Sequence, residues 1–227
     1  MKLFAVVPAA GIGRRMGGEL PKQYLELQGQ AVIDWSIQAL LAHSSVQQVV
    51  VALAQDDLYW DNTRSSIHPR VYRVRGGAER ADSVLNALAS LPDDPEAWVL
   101  VHDAARPCVR EADIGRLIEH AGQGDGALLG VPLVDTVKQV NAHRQVEKTR
   151  NRQVLWRAFT PQLFPLNRLR SAVRAALQQG VAITDEASAM EWAGYTPQMV
   201  PCHDDNIKIT RPGDLELAAF YLQNQRM

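Results

Sequence analysis

Five short apolar segments alternate along this chain with segments of helical periodicity. The apolar segments run over Leu3 to Val7, Val46 to Ala54, Val71 to Arg75, Ala97 to His102 and Ala127 to Val131. Apolar residues at helical spacing predict helices over Ala31 to His43, Arg80 to Leu91, Glu111 to Ala121, Leu166 to Gln179, Asp185 to Trp192 and Asp214 to Leu222. Strands that alternate with helices form a mostly parallel sheet with helices on both faces, so we predict an α/β, Rossmann-like fold.

The size and charge of the chain limit both its domain organisation and its partners. Its 227 residues fit one domain that spans 1–227. A hydrophobic content of 46%, a charged content of 22% and a net charge of −1 are ordinary for a globular protein and give no reason to expect a nucleic-acid partner. No apolar run approaches the ~20 residues that a membrane span needs, so we expect no membrane partner.

The two cysteines and the N-terminal segment predict the compartment. The apolar run after Lys2 is broken by Pro8 and leads into glycines and arginines, which favours a strand over a signal peptide. Two isolated thiols, Cys108 and Cys202, are more often reduced than paired in a chain without a secretory signal. We therefore expect a cytoplasmic protein.

The segment 133–155 interrupts the alternation of strands and helices. It has lost its large apolar residues and is rich in lysine and arginine, a pattern that predicts a hairpin around Asn141-Ala142-His143. A polar two-stranded ribbon is marginally stable alone and should lie against another surface. A solvated excursion is the alternative, but we favour a protruding arm that makes a homodimer contact.

A loop rich in small residues follows the first predicted strand. Ala9, Ala10, Gly11 and Gly13 would let backbone N–H groups approach anionic oxygens, and Arg14, Arg15 and Lys22 add positive charge. These features predict a polyphosphate site. An ordinary strand-to-helix turn would explain the two glycines but not the cations.

Two common glycine motifs do not fit this loop. A dinucleotide-binding fingerprint requires a small residue where Met16 stands, and a Walker A loop requires lysine where Glu19 stands. An NAD-dependent oxidoreductase is therefore disfavoured.

Further polar clusters follow other predicted strands, where loops of a parallel sheet gather around ligands. The turn Gly76-Gly77-Ala78-Glu79 with Ser83 offers backbone groups and a hydroxyl to a base edge, although Asp82 or Ser83 would equally serve as a helix N-cap. His102 is more plausible as a structural histidine than as a metal ligand. Asp103, beside a triphosphate, would contact Mg²⁺ directly or through water.

Taken in order, these motifs resemble one enzyme family over nearly the whole chain. They are Pro8-Ala9-Ala10-Gly11-x-Gly13-x-Arg15-Met16, Pro21-Lys22-Gln23, Gly76-Gly77-x-x-Arg80-x-x-Ser83-Val84, His102-Asp103-Ala104-Ala105-Arg106-Pro107, Asp135-Thr136, Thr160-Pro161-Gln162, Thr184-Asp185 and Asp205-Asn206-Ile207-Lys208. The pattern is similar to the 2-C-methyl-D-erythritol 4-phosphate cytidylyltransferases of the non-mevalonate isoprenoid pathway. The first loop is shared by many nucleotidyltransferases, whereas the later motifs narrow the resemblance to this family.

The resemblance implies a reaction and a set of residue roles. CTP and methylerythritol phosphate would give the CDP-alcohol and pyrophosphate, with Mg²⁺ or another divalent cation as cofactor. By match to the family motifs, Arg15, Lys22 and Lys208 would be catalytic, while Ala9, Ala10, Gly11, Gly13, Gly77, Ala78 and Ser83 would bind the nucleotide. The acceptor would face Asp103, Arg106, Thr136, Thr160, Thr184 and Lys208, with Arg152 delivered to the neighbouring subunit's site. Ala78 stands where some relatives carry an acidic residue, so base contacts there would come from the backbone.

Two other functions remain open from the sequence. A ribitol-5-phosphate cytidylyltransferase shares most of these loops and differs in its acceptor. A non-catalytic nucleotide sensor would keep the fold but has no need to gather Arg15, Lys22 and Lys208 around a reacting phosphorus.

Overall fold

The computed structural model describes residues 2–11, 20–121 and 124–225 of the chain. Its strands are β1 (Lys2–Pro8), β2 (Glu26–Leu27), β3 (Gln30–Ala31), β4 (Val46–Leu53), β5 (Val71–Arg75), β6 (Ala97–Val101), β7 (Ala127–Pro132), β8 (Val137–Val140), β9 (Val146–Arg150), β10 (Trp156–Pro165) and β11 (Gln198–Pro201). Its α-helices are α1 (Val32–Ala42), α2 (Arg80–Ser90), α3 (Glu111–Ala121), α4 (Leu166–Gln178), α5 (Glu186–Trp192) and α6 (Gly213–Asn224). All five predicted strands and all six predicted helices are present, with ends that differ by at most two residues.

A seven-stranded sheet with the order β11-β7-β10-β6-β1-β4-β5 forms the centre of the fold. Strand β1 pairs in parallel with β4 and with β6, β4 pairs in parallel with β5, and β7 pairs in parallel with β11. Strand β10 runs antiparallel between β6 and β7. The predicted α/β class with a mostly parallel sheet is therefore confirmed.

Alternate side chains of β1 enter two hydrophobic clusters, one on each face of the sheet. Leu3, Ala5 and Val7 pack with residues of α1 and α3, whereas Phe4 and Val6 pack with residues of α2 and α4. This follows from the two-residue repeat of a strand, which points successive side chains to opposite faces. A strand that is apolar on both faces belongs inside a doubly covered sheet.

Two strands of the sheet were absent from the sequence prediction. Strand β10 contains Thr160-Pro161-Gln162, and a proline inside a run argues against a central strand. The structure accommodates it through a register shift against β7 between Ala158 and Gln162, which leaves Thr160 and Pro161 outside that ladder. The short strand β11 lies at the sheet edge beside β7.

The predicted ribbon is a separate two-stranded antiparallel sheet of β8 and β9. The Asn141 side chain accepts hydrogen bonds from the backbone N–H groups of His143 and Gln145 and so closes the turn. At the other end, Leu133 N donates to Leu155 O at 3.0 Å. The predicted hairpin is present as β8 and β9. The limits of the arm at 133 and 155 and its role in a dimer stay predictions.

Within the described ranges, no helix is both long and apolar enough to cross a membrane.

Candidate active site

The crevice for a ligand opens where β1 and β6 end side by side. From this point the sheet continues through β4 on one side and through β10 on the other, so the loops after β1 and β6 diverge. Such a switch point at the carboxyl ends of parallel strands is where open α/β sheets bind ligands. Two adjoining cavities lie here.

The first cavity has a volume of about 310 Å³ and gathers most of the predicted nucleotide residues. Its lining includes Ala9, Ala10, Gly11, Lys22, Gln23, Gly77, Ala78, Glu79, Arg80, Ser83, Asp103 and Lys208. The three remaining predicted residues of the first loop, Gly13, Arg14 and Arg15, lie outside the described residues.

The two small-residue loops of this cavity pack closely together. A Cβ on Gly76 would lie 2.5 Å from the Cβ of Ala10 and 3.1 Å from the carbonyl oxygen of Leu53, so only glycine fits there. Gln23 Nε2 donates to Ala9 O at 2.9 Å and to Gly11 O at 3.2 Å. Gln23 thus holds the described start of the first loop, Ala9 to Gly11, a role that the sequence prediction did not assign.

The predicted N-caps of α2 were wrong. Glu79 is the N-cap, and a capping box joins it to Asp82 at the third helical position. The Ser83 hydroxyl accepts from Gly77 N at 3.0 Å and donates to Glu79 O at 3.1 Å. Ser83 therefore shapes the turn that lines the cavity, and its contact with a base stays a prediction.

Lys22 connects the first loop with the segment around Lys208. Its ammonium group donates to the backbone oxygen of Ile209 at 2.8 Å, next to Lys208. Both lysines line the first cavity, and so the positive charge there comes from both ends of the chain.

The second cavity, of about 220 Å³, gathers five of the predicted acceptor residues. Arg106, Thr160 and Thr184 line it with Ala158, Phe159, Gln162 and Asp185, and Arg80, Asp103 and Lys208 line it as well. Since the last three side chains also line the first cavity, they form a wall that the two cavities share. We call Arg80, Asp103 and Lys208 the shared wall.

Asp103 is the centre of a cationic cluster at the shared wall. Its Oδ1 accepts from Arg80 Nε at 3.3 Å, and its Oδ2 lies 2.9 Å from Lys208 Nζ and 3.4 Å from Arg106 Nε. Burial alone would raise the pKa of this carboxyl, but Arg80, Lys208 and Arg106 outweigh it and hold the pKa below its usual range. Asp103 is therefore a buried carboxylate that stays ionised.

His102 supports the loop from within, as its predicted structural role requires. Its ring lies 3.1 Å from Thr160 Oγ1 and 3.1 Å from Arg106 O, and it is fully buried. Burial lowers the pKa of His102 to about 4, so the ring is neutral near pH 7. Thr160 Oγ1 also accepts from Asp103 N at 3.0 Å.

Arg106 is held against the Asp205-Asn206 motif. Its Nη1 donates to Asn206 O at 2.7 Å, and its guanidinium carbon lies 4.8 Å from the ring centroid of Phe159. Asn206 Nδ2 in turn donates to Thr160 O at 2.8 Å. Burial lowers the pKa of Arg106 from its ordinary value.

The structure does not bring Thr136 and Arg152 to the second cavity of the same chain. Thr136 is exposed immediately before β8 and lines neither cavity. Arg152 is also exposed, and its guanidinium donates to the backbone oxygen of Val134. Within one chain, Thr136 therefore does not face the acceptor residues, and the delivery of Arg152 to another subunit stays a prediction.

The described residues offer no cluster of carboxylate, histidine and cysteine ligands that would hold a metal by themselves. Asp103 lines both cavities, but Arg80, Arg106 and Lys208 contact its two oxygens. A metal at this site would therefore be held mainly by phosphate oxygens of a ligand, and Asp103 would reach it through water.

The sequence prediction gave no role to Arg80 or to Glu186. Arg80 Nη1 donates to Glu186 Oε1 at 2.7 Å, and Arg80 Nη2 donates to Glu186 Oε2 at 3.1 Å. The arginine stands in the Gly76-Gly77-x-x-Arg80 motif, which was a signal for it. Nothing local marked Glu186, because its partner is more than a hundred positions away.

The comparisons with known proteins agree with this geometry. The family model for 2-C-methyl-D-erythritol 4-phosphate cytidylyltransferase matches residues 3–224. The protein of that name from Vibrio vulnificus strain YJ016 is 49% identical over 227 residues, with 99% of this chain and 96% of the relative covered. The one from Aeromonas hydrophila subsp. hydrophila is 51% identical over 223 residues, covering 98% and 90%.

Solved structures give the same match. The crystal structure of the Francisella tularensis 2-C-methyl-D-erythritol 4-phosphate cytidylyltransferase superposes with a TM-score of 0.85 at 35% identity, covering 97% of this chain and 100% of that one. The structure of the protein of the same name from Thermus thermophilus gives a TM-score of 0.80 at 28% identity, covering 98% and 100%.

Proposed function

The chain belongs to the 2-C-methyl-D-erythritol 4-phosphate cytidylyltransferase family, and we propose that it transfers the cytidylyl group of CTP to 2-C-methyl-D-erythritol 4-phosphate. The products are 4-diphosphocytidyl-2-C-methyl-D-erythritol and pyrophosphate. The observation that carries the proposal is the shared wall, since a nucleotide in the first cavity and a phosphate in the second would meet there.

The reaction needs no general base from the protein. An oxygen of the acceptor phosphate attacks the α-phosphorus of CTP, and the bond from that phosphorus to the pyrophosphate oxygen breaks. A phosphate monoester has a second pKa of about 6 and is mainly dianionic at pH 7, so its oxygen is already a nucleophile. Catalysis then consists of holding two anions in line and stabilising charge on the α-phosphorus.

The residues of the two cavities divide this work. Lys22 and Lys208, together with Arg15 of the first loop, supply positive charge at the reacting phosphorus. Backbone N–H groups from Ala9 to Gly13 hold the ribose and phosphates, and the turn of Gly77, Ala78 and Ser83 surrounds the base. Asp103, Arg106, Thr160 and Thr184 bind the acceptor, with Asp103 accepting hydrogen bonds from its hydroxyls.

Mg²⁺ belongs to the same proposal. When bound, it neutralises charge on the triphosphate and favours departure of pyrophosphate. The phosphates of CTP would be its main ligands, and Asp103 would act through water.

We also propose that the protein is a cytoplasmic homodimer. Cys108 and Cys202 are both free thiols, as is usual in a reducing compartment. The ribbon exposes Val134, Val140, Val146 and Val154, which favours burial against a second copy of the chain. Such a contact would carry Thr136 and Arg152 towards the partner's acceptor cavity.

Pyrophosphate release with CTP and each alditol phosphate tests the proposal. We expect turnover with 2-C-methyl-D-erythritol 4-phosphate well ahead of ribitol 5-phosphate. Lys208→Ala should abolish most of the turnover, whereas Lys2→Ala, whose exposed side chain pairs with Asp94 and lines neither cavity, should not. Faster turnover with ribitol 5-phosphate would identify that alditol phosphate as the acceptor instead. CTP binding without turnover would indicate a nucleotide sensor.

A further inference from the structure

Arg80 is anchored at both ends of its guanidinium group. The two terminal nitrogens bind the two oxygens of Glu186 at 2.7 and 3.1 Å, and Nε faces Asp103 Oδ1 at 3.3 Å. A paired donor and acceptor arrangement of this kind fixes the plane of the guanidinium as well as its position. The orientation of Arg80 towards Asp103 is thus set by Glu186.

The anchor lies behind the shared wall. The Glu186 side chain is 2% exposed at the start of α5, whereas the Arg80 side chain is 30% exposed and lines both cavities. Burial by itself would lower the pKa of Arg80, but Glu186 and Asp103 outweigh burial and raise it. Glu186 therefore holds a permanent cation in place without facing either cavity.

The helix that carries Glu186 is itself fixed to the acceptor cavity. Gln162 Nε2 donates to Asp185 Oδ2 at 2.9 Å, and Gln162 Oε1 accepts from Ala187 N at 2.9 Å. Gln162 is 1% exposed and belongs to β10. The anchor thus continues from the central sheet through α5 to Arg80.

The cations around Asp103 differ in how firmly they are held. Lys208 contacts it with a flexible, 35% exposed side chain, whereas Arg80 is clamped to Glu186. Phosphate groups that enter the cavities would compete with Asp103 for the cations at the wall. A lysine on a flexible stem can turn to a phosphate, but a guanidinium already paired through two hydrogen bonds stays where it is.

We propose that Glu186 is a positioning residue that acts through Arg80 to keep Asp103 fixed at the shared wall while Lys208 turns to the phosphates. The expected effect on the reaction rate rests on the proposed function. Misplacement of a substrate-positioning group by about 1 Å can lower a rate on the order of 10²-fold. The nucleotide has its own contacts in the first cavity, so its binding should change little.

Glu186→Gln tests this role, with Glu191→Gln on the exposed side of the same helix as the matched control. We expect kcat/KM for the acceptor to fall on the order of 10²-fold in Glu186→Gln, with the Kd for CTP within about twofold of wild type. Glu191→Gln should match wild type in both. An unchanged kcat/KM in a folded Glu186→Gln protein would overturn the inference.

Arg80→Lys is the second variant, because loss of a buried ion-pair partner could prevent Glu186→Gln from folding. Lysine keeps the charge between Glu186 and Asp103 but lacks the fork that fixes it. A comparable loss in kcat/KM for the acceptor, with the thermal unfolding midpoint and CTP binding retained, is the expected result. Full activity would mean that charge alone suffices and would overturn the positioning role.

Exchange of the Arg80 Nε–H proton, followed by NMR, gives a readout that does not depend on turnover. The signal should be protected in wild type and in Glu191→Gln and should exchange at least about tenfold faster in Glu186→Gln, since local opening sets exchange rates. Equal protection in all three would contradict the anchor. If wild type showed no turnover with any acceptor, the proposed function would fail, while this exchange measurement would still decide the role of Glu186.

Discussion

Lys208 Nζ lies 2.9 Å from Asp103 Oδ2, at the wall that separates the two cavities. The two residues come from the loops that follow β11 and β6, which the fold brings to the same edge of the sheet. A lysine in this position can reach a ligand in either cavity, because both are lined by it. A nucleotide in the first cavity and an acceptor in the second would therefore lie side by side at this contact.

Lys22→Ala should lower kcat far more than it weakens CTP binding. Its charge matters most when the α-phosphorus becomes crowded, and removal of one preorganised group typically costs on the order of 10² to 10³ in rate. Arg15→Ala, in the first loop, should behave in the same way. Steady-state kinetics beside a CTP titration measure the split, with Lys2→Ala as the control. If kcat stayed nearly intact and only KM rose, Lys22 would be a binding residue.

CTP should be used well ahead of UTP. The turn from Gly76 to Ser83 offers backbone acceptors to the amino group of cytosine, which uracil lacks, and an unmatched polar group in a pocket is costly. The ratio of kcat/KM for the two nucleotides measures this preference. Equal values would remove the cytidylyl assignment and leave nucleotidyl transfer in place.

Much of this site follows from the sequence because its parts are local. The continuous apolar run of β1 predicts a buried strand, and a buried parallel strand places the loop of Ala9 and Gly11 at the ligand edge. The turn of small residues after β5 likewise follows a parallel strand, which places Gly77 at the same edge of the sheet. Local patterns of this kind need no knowledge of distant contacts.

The parts that the sequence did not predict depend on distant residues. Arg80 and Glu186 meet only because α5 packs near the start of α2, and neither residue has a local reason to be paired. Strand β10 was missed because Pro161 argues against a strand, whereas a register shift accommodates it. Thr136 was expected to face the acceptor, but its place at the base of the ribbon depends on how the ribbon leaves the sheet.

Acidification should destabilise the protein through His102. The unfolded chain takes up the proton near the ordinary pKa of about 6.5, whereas the folded protein does so only near about 4. The unfolded state therefore binds more protons between these values, and the free energy of unfolding falls as the pH drops from about 6.5 towards about 4, by a few kcal/mol at most.

Urea unfolding at several pH values measures this effect. His102→Asn should flatten the dependence over that window, whereas His143→Asn, in the exposed turn of the ribbon, should leave it unchanged. A slope that is the same in wild type and in His102→Asn would contradict the prediction.

Mixed dimers test whether the ribbon completes a neighbouring site. An Arg152→Ala subunit paired with a Lys22→Ala subunit would form one intact site, with Lys22 from the first chain and Arg152 from the second. Each parent dimer should be nearly inactive, and the purified heterodimer should regain close to half of the wild-type activity. No recovery in a verified heterodimer would place Arg152 in its own subunit's site or outside catalysis.

The fate of the α-phosphorus of CTP tests the central claim most directly, and ³¹P NMR follows it during turnover with 2-C-methyl-D-erythritol 4-phosphate. We predict two mutually coupled diphosphate signals that grow in equal intensity, one from CTP and one from the acceptor, together with one equivalent of free pyrophosphate. No such signals should form without the acceptor. Release of CMP in place of the coupled pair, or no change in the CTP signals, would contradict the account.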